Sequence, residues 1–150
     1  MEEPAIGILN ARRTMAISTV RPDGWPQTTI VGYANEGWTL HFVIFRRSQK
    51  FTNIAHDDRV SVAIGEEPAD IREAKAVFAS GRAKEVTNPS EREHAWRVLA
   101  SRHPNLVGRT MPDAAVAAIM SVDCEHVSAL DYTKGLGHAD ALHLSGQGAI

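Results

Sequence analysis

Residues 14–34, TMAISTVRPDGWPQTTIVGYA, constrain the fold more than any other stretch. Met15, Ile17 and Thr19 alternate against Ala16, Ser18 and Val20, a period of two with the β-branched content of a strand. Pro22-Asp23-Gly24 then supplies a turn, because proline presets one backbone angle and glycine takes a positive one. QTTIVGYA returns as a second strand, so the segment reads as a β-hairpin. NEG at 35–37 is another turn, WTLHFVIF at 38–45 a third strand, and the three are expected to form an antiparallel meander.

The remaining elements continue that pattern. RVSVAIG (59–65) reads as a fourth strand, and KAVFASGRAKEVT (75–87) as a long fifth one in which Gly81 suggests a bulge or sharp bend. SVDCEHVSALDYT (121–133) is a sixth, of mixed pattern. Between strands, SQKFTNIA gives a short helix with Ser48 as N-cap and Phe51, Ile54 and Ala55 on one stripe, stopped by HDD. NPSEREHAWRVLASRH starts a helix with Asn88 as cap, Pro89 in the first position and Glu91 three residues after the cap, and puts Trp96, Leu99, Ala100 and His103 on one face. MPDAAVAAIM (111–120) reads as a further small helix, and the Gly-rich tail is expected to fray at its end. Helices inserted singly between strands argue for a curled antiparallel sheet closing as a small barrel, not a doubly wound α/β fold.

Composition narrows the function. With 150 residues, 43% of them hydrophobic, one domain can bury enough surface to fold without disulfides, and the single cysteine, Cys124, has no partner for one. A net charge of −2 argues against a nucleic-acid partner. The acidic start MEEPAIGILNARR is unlike a signal peptide, no apolar run is long enough for a membrane span, and a soluble cytoplasmic protein is expected. The histidines lie at no metal-protease spacing; the nearest approach to a metal set is His126 with His138, Asp140 and His143, and no metal site is expected. Cys124 has no nearby cation in sequence to activate it as a nucleophile. GxSxG, GxGxxG and phosphate-loop motifs are absent, and no catalytic pair stands out. Trp25, Trp38 and Trp96 read as core or interface aromatics. In YTKGLGHAD (132–140) two glycines allow either close backbone approach to a flat ligand or a plain turn.

The informative constellation is FVIFRRSQKFTNIA, residues 42–55. Arg46, Arg47 and Lys50 crowd a strand-to-helix junction, with Ser48 and Gln49 between them. A helix N-terminus carries unpaired N–H groups and a partial positive charge, so this is either a solvated turn or a cradle for an anion such as phosphate.

In order and spacing, MAISTVRPDGWPQTTIVGY, WTLHFVIF, SQKFTNIAHDDRVSVAIG and VFASGRAKEVTNPSEREHAW closely resemble the pyridoxamine 5'-phosphate oxidase-like, FMN-binding split-barrel family over about residues 12–104, and LDYTKGLGHAD looks like its closing segment. The resemblance implies a mainly β fold with short helices, a six-stranded antiparallel split β-barrel in one domain over 1–150. It implies a homodimer with FMN in clefts between subunits, acting as an oxidoreductase on a small molecule. Backbone groups near Thr29, Ile30, Val31, Val43 and Ile44 would meet the flavin, and Ser48, Gln49 and Lys50 would take the phosphate. Where the family's oxidases have Arg, a hydroxyl or similar polar group, and Arg, this chain has Thr29, Ile44 and Gln49, so the resemblance implies either that Arg46 or Arg47 substitutes or that binding is weaker. The family's basic C-terminal substrate segment is missing from LHLSGQGAI, which implies a substrate other than pyridoxamine phosphate. Relatives of the fold that bind deazaflavin or haem make a non-catalytic cofactor-binding protein the alternative, with His126 or His138 as axial ligand of a haem.

Overall fold

The computed structural model describes residues 2–144. Helix α1 (Glu2–Ala11) precedes β1 (Thr14–Val20), β2 (Pro26–Gly32), β3 (Ala34–Glu36) and β4 (Thr39–Phe45). Helix α2 (Gln49–His56), β5 (Arg59–Gly65), β6 (Lys75–Glu85), α3 (Pro89–Arg102), β7 (Ala117–Asp131) and β8 (Ala139–His143) complete the order, with 3-10 turns at Ile71–Glu73, Pro104–Leu106 and Tyr132–Lys134. Among the described residues no helix is long and apolar enough to cross a membrane.

All the strands form one antiparallel sheet in the order β2-β1-β5-β6-β7-β4-β3, with β8 also on β7. It curls so that Met15, Ile17, Leu40, Phe42, Val62, Val77, Met120 and Val122 fill its interior, and Ala5 and Leu9 of α1 pack onto that core. The fold is the split barrel expected from the sequence, with two short strands, β3 and β8, beyond the six expected. The β1–β2 hairpin turns through Gly24 at φ +90°, where its N–H donates to Arg21 O and Asp23 Oδ1 accepts from Trp25 N.

Three local expectations need correction. The meander does not form: β2 pairs only with β1, whereas β4 pairs with β3 and, along its whole length, with β7. Residues 117–120, read as part of a helix, open β7 instead. Their alanines suit a helix in isolation, but Ala117 to Val122 are buried on both faces, between the barrel interior and α3, and tertiary context overrides propensity. On α3 the buried residues are Arg92, Ala95 and Leu99, with Trp96 half-buried at the edge. Part of the tail is ordered as β8; its last residues, 145–150, lie outside the described ones.

Gly81 sits at a bulge, as its sequence position suggested. Ser80 pairs with His126 but Gly81 pairs with Cys124, so Glu125 is an extra residue on β7. The strands come so close that a Cβ on Gly81 would lie 2.3 Å from Asp123 O. The bulge also shifts the side-chain phase of β7: Val122 and Cys124 point inward before it, Val127 and Ala129 after it.

Candidate functional site

The sheet is open along one seam. β2 is an edge strand, so every second residue directs its N–H and C=O away from β1. β3 covers β4 only over Thr39–His41, which leaves Phe42 to Phe45 with a second free edge beyond it. The two edges approach one another, and the chain crosses between them through Tyr33, whose buried hydroxyl donates to Leu9 O at 2.6 Å. Helix α2 begins where β4 ends, so the basic junction stands at this seam.

A buried polar chain holds α2 there. Asn53, fully buried, donates through Nδ2 to Thr19 Oγ1 at 2.9 Å and Gln27 Oε1 at 3.1 Å, while its Oδ1 accepts from Gln49 Nε2 at 2.8 Å. The helix is thereby fixed to both β1 and β2. Sequence reading passed over Asn53 and Gln27; the available signal was a polar residue beside Ile54, on the flank of the apolar stripe.

The junction residues divide by role. Ser48 accepts from Phe51 N at 3.2 Å and donates to Phe45 O at 2.7 Å, so it caps the helix as expected. Arg46 is committed to the scaffold: its guanidinium makes a two-pronged bond to Glu85, donates to Ala114 O and lies 5.3 Å over the Phe51 ring. The Arg46 hydrogen bond holds the Glu85 carboxyl below its usual range against the opposing effect of burial. Gln49 is turned to Asn53. Arg47, exposed, and Lys50, half-buried, have no acidic partner among the described residues. Of the two arginines that could replace missing family donors, Arg46 is already paired with Glu85, and Arg47 is not paired among the described residues.

On the strands, Gln27, Thr29 and Val31 are half-buried and Ile30 is 70% exposed on the opposite face. Thr29 Oγ1 is buried with no hydrogen-bond partner, a polar atom left to be satisfied. Ile44 turns its side chain into the core and Val43 packs with Val86, Ile119 and Trp96, so at these two positions the backbone is what the seam can offer. The ten residues singled out from sequence thus lie on β2, β4 and the junction that follows β4, all bordering one seam. The residues fit a flavin phosphate: two cations with no acidic partner among the described residues, a capped helix start, free strand edges for a planar ring and an orphaned hydroxyl.

The other candidates separate. His126 and His143 meet, Nδ1 to Nδ1 at 2.9 Å, while His138 pairs with Asp140 at 3.1 Å. Cys124 is buried, which pushes its thiol up to about 12, far from nucleophile chemistry. YTKGLGHAD forms a turn between β7 and β8, with Gly135 and Gly137 at positive φ. Trp25 is 71% exposed at the β1–β2 turn.

A family model described as pyridoxamine 5'-phosphate oxidase matches residues 1–131. No curated protein matches the chain in sequence. Among solved structures, a heme binding protein from Mycobacterium smegmatis superposes with a TM-score of 0.82 at 20% identity, covering 99% of this chain; the chain spans 60% of that protein's length. A FAD-binding protein from Mesorhizobium loti has a TM-score of 0.67 at 25% identity, with 85% of this chain and 91% of that one covered. General Stress Protein 26 from Bacillus anthracis gives 0.70 at 19% identity, over 95% and 98% of the two chains.

Proposed function

Because the chain belongs to the pyridoxamine 5'-phosphate oxidase family, we propose that it binds FMN at the seam between β2 and β4 and serves as a flavin-dependent oxidoreductase on a small molecule other than pyridoxamine phosphate. The observation that carries this reading is that Arg47 and Lys50, with no acidic partner among the described residues, stand at a helix start pinned to a free strand edge. FMN, when bound, supplies the hydride or electron transfer. The chain's own part is to bind and orient. Lys50, with Arg47 beside it, neutralises the phosphate; Ser48 fixes the first turn of α2 so that its N–H groups face the anion. Backbone groups of Thr29, Ile30, Val31, Val43 and Ile44 meet the ring edge, and Thr29 Oγ1 gains the partner it lacks. No acid or base is asked of the protein, in keeping with the absence of a catalytic pair in the sequence.

A homodimer completes the reading. In cross-strand register on the outer face lie Ile30, Ala16, Ala63 and Phe78, with Ile30 70% and Phe78 43% exposed. Such a row beside the edge strand β2 suits an isologous partner, whose surface would close the cofactor cleft. The haem alternative draws on the Mycobacterium smegmatis likeness. Of its axial candidates, His126 lines a surface pocket beside His143, to which it is bonded through Nδ1, and His138 is bonded to Asp140.

The test is the visible spectrum of the purified protein after excess FMN is added and the unbound fraction removed, with light scattering for mass. A retained flavin spectrum on a dimer is expected. A Soret band in the isolated protein would favour haem, and a colourless protein that retains no FMN would overturn the assignment.

A further inference from the structure

We propose that His126 and His143 form a two-nitrogen chelate for a square-planar divalent ion, Cu2+ or Ni2+, on the outer face of the β7–β8 hairpin. The two residues are direct cross-strand partners in the antiparallel register. Side chains at such positions leave the sheet side by side, and here both rings are exposed, with centroids 4.5 Å apart. The arrangement depends on the bulge at Glu125. Without that extra residue the alternation that places Val122 and Cys124 inside would place His126 inside as well, and the pair would not exist.

The separation selects the metal. The Nδ1 atoms are 2.9 Å apart. With metal–nitrogen bonds of about 2.0–2.1 Å, that separation subtends about 90° at the ion. That is the angle between neighbouring ligands in a square-planar or tetragonal site, as Cu2+ and Ni2+ prefer; a tetrahedral Zn2+ would need the nitrogens about 3.3 Å apart. As a hydrogen-bonded pair, one ring donates from Nδ1 and the other accepts. To chelate, the donor ring moves its proton from Nδ1 to Nε2, so that both Nδ1 lone pairs can be given to the ion with no net change of charge. Among the described residues no third His, Cys, Asp or Glu joins them, so the pair is a two-nitrogen site there.

The pair lies on β7 beyond Asp123, where the pairing with β4 ends, and contains none of the residues assigned to the flavin, although it borders the surface pocket that also holds Phe78. To test it, the untagged full-length protein is titrated calorimetrically with Cu2+, Ni2+ and Zn2+, and the Cu2+ form is examined by electron paramagnetic resonance. One Cu2+ per chain with splitting from two nitrogens is expected, with Ni2+ bound more tightly than Zn2+. H126Q and H143Q, which preserve approximate size on an exposed face, should each weaken Cu2+ at least tenfold while leaving the circular dichroism spectrum unchanged. No Cu2+ binding, affinity unchanged in either variant, or Zn2+ bound more tightly than Ni2+ would overturn the proposal.

Discussion

The side-chain amide of Asn53 donates to Gln27 Oε1 across 3.1 Å, tying the helix that follows the basic junction to the free edge strand of the sheet. The same amide nitrogen reaches Thr19, which is itself 2% exposed, so the tie continues into the barrel wall.

Removing that tie should cost stability and cofactor together. Asn53→Ala strands the Thr19 hydroxyl without its amide partner and opens a cavity, for a loss of about 2–3 kcal/mol. Urea unfolding measures the first effect, and FMN titration at a concentration where the variant is still folded measures the second. A variant as stable as the parent would show that the polar chain does not hold α2 in place.

Lys50 is expected to matter only when the anion is present. If it makes a charge-assisted bond to the FMN phosphate, Lys50→Ala weakens binding by about 1.5–3 kcal/mol, roughly ten- to a hundredfold, and leaves the unfolding midpoint of the cofactor-free protein nearly unchanged. An unaltered dissociation constant in a fluorescence-quenching titration would remove Lys50 from the phosphate site.

The pairing of Arg46 with Glu85 gives a pH dependence of known sign. Hydrogen bonding to Arg46 depresses the folded-state value of Glu85 below its ordinary 4.5. Its contribution is therefore complete above the unfolded value and is lost as pH falls through the lower folded one. Glu85→Gln should lower stability by about 1 kcal/mol at pH 7, since the pair is partly buried, and the difference from the parent should shrink as pH drops below about 4.5. Chemical denaturation of both proteins from pH 7 down to pH 3.5 follows this; a difference that stays constant over the range would contradict it.

Gly81→Ala should be among the most damaging single substitutions. The added carbon would lie 2.3 Å from Asp123 O, a backbone atom that can move only with the sheet. A loss of about 3 kcal/mol, or failure to accumulate as soluble protein, is expected. By contrast Gly24→Asn should cost under about 1 kcal/mol, because nothing lies within 4 Å of that position and asparagine tolerates positive φ. Thermal denaturation of the two variants side by side separates lack of space from lack of conformational freedom.

Much of this protein was legible in one dimension. Alternation in TMAISTV and RVSVAIG, the Pro-Asp-Gly turn, and the Ser48 and Asn88 caps depend on neighbours a few residues away, and those elements form as read. Gly81 likewise announced its bulge, because close backbone approach leaves no alternative residue. What the chain could not declare locally was anything set by a distant partner. The alanines of 117–120 become strand because β4 pairs with them while the barrel interior and α3 bury their two faces, and β4 pairs not with β2 but with β7, about 80 residues away. That exchange opens the seam where the proposed cofactor site stands. The fate of the cations shows the same division. Sequence placed Arg46, Arg47 and Lys50 together, but only the approach of Glu85 from β6 decided that Arg46 braces the scaffold while the other two have no acidic partner among the described residues. Local pattern is written in short-range backbone preference; which side chains are neutralised depends on long-range packing, and only the folded chain carries that information.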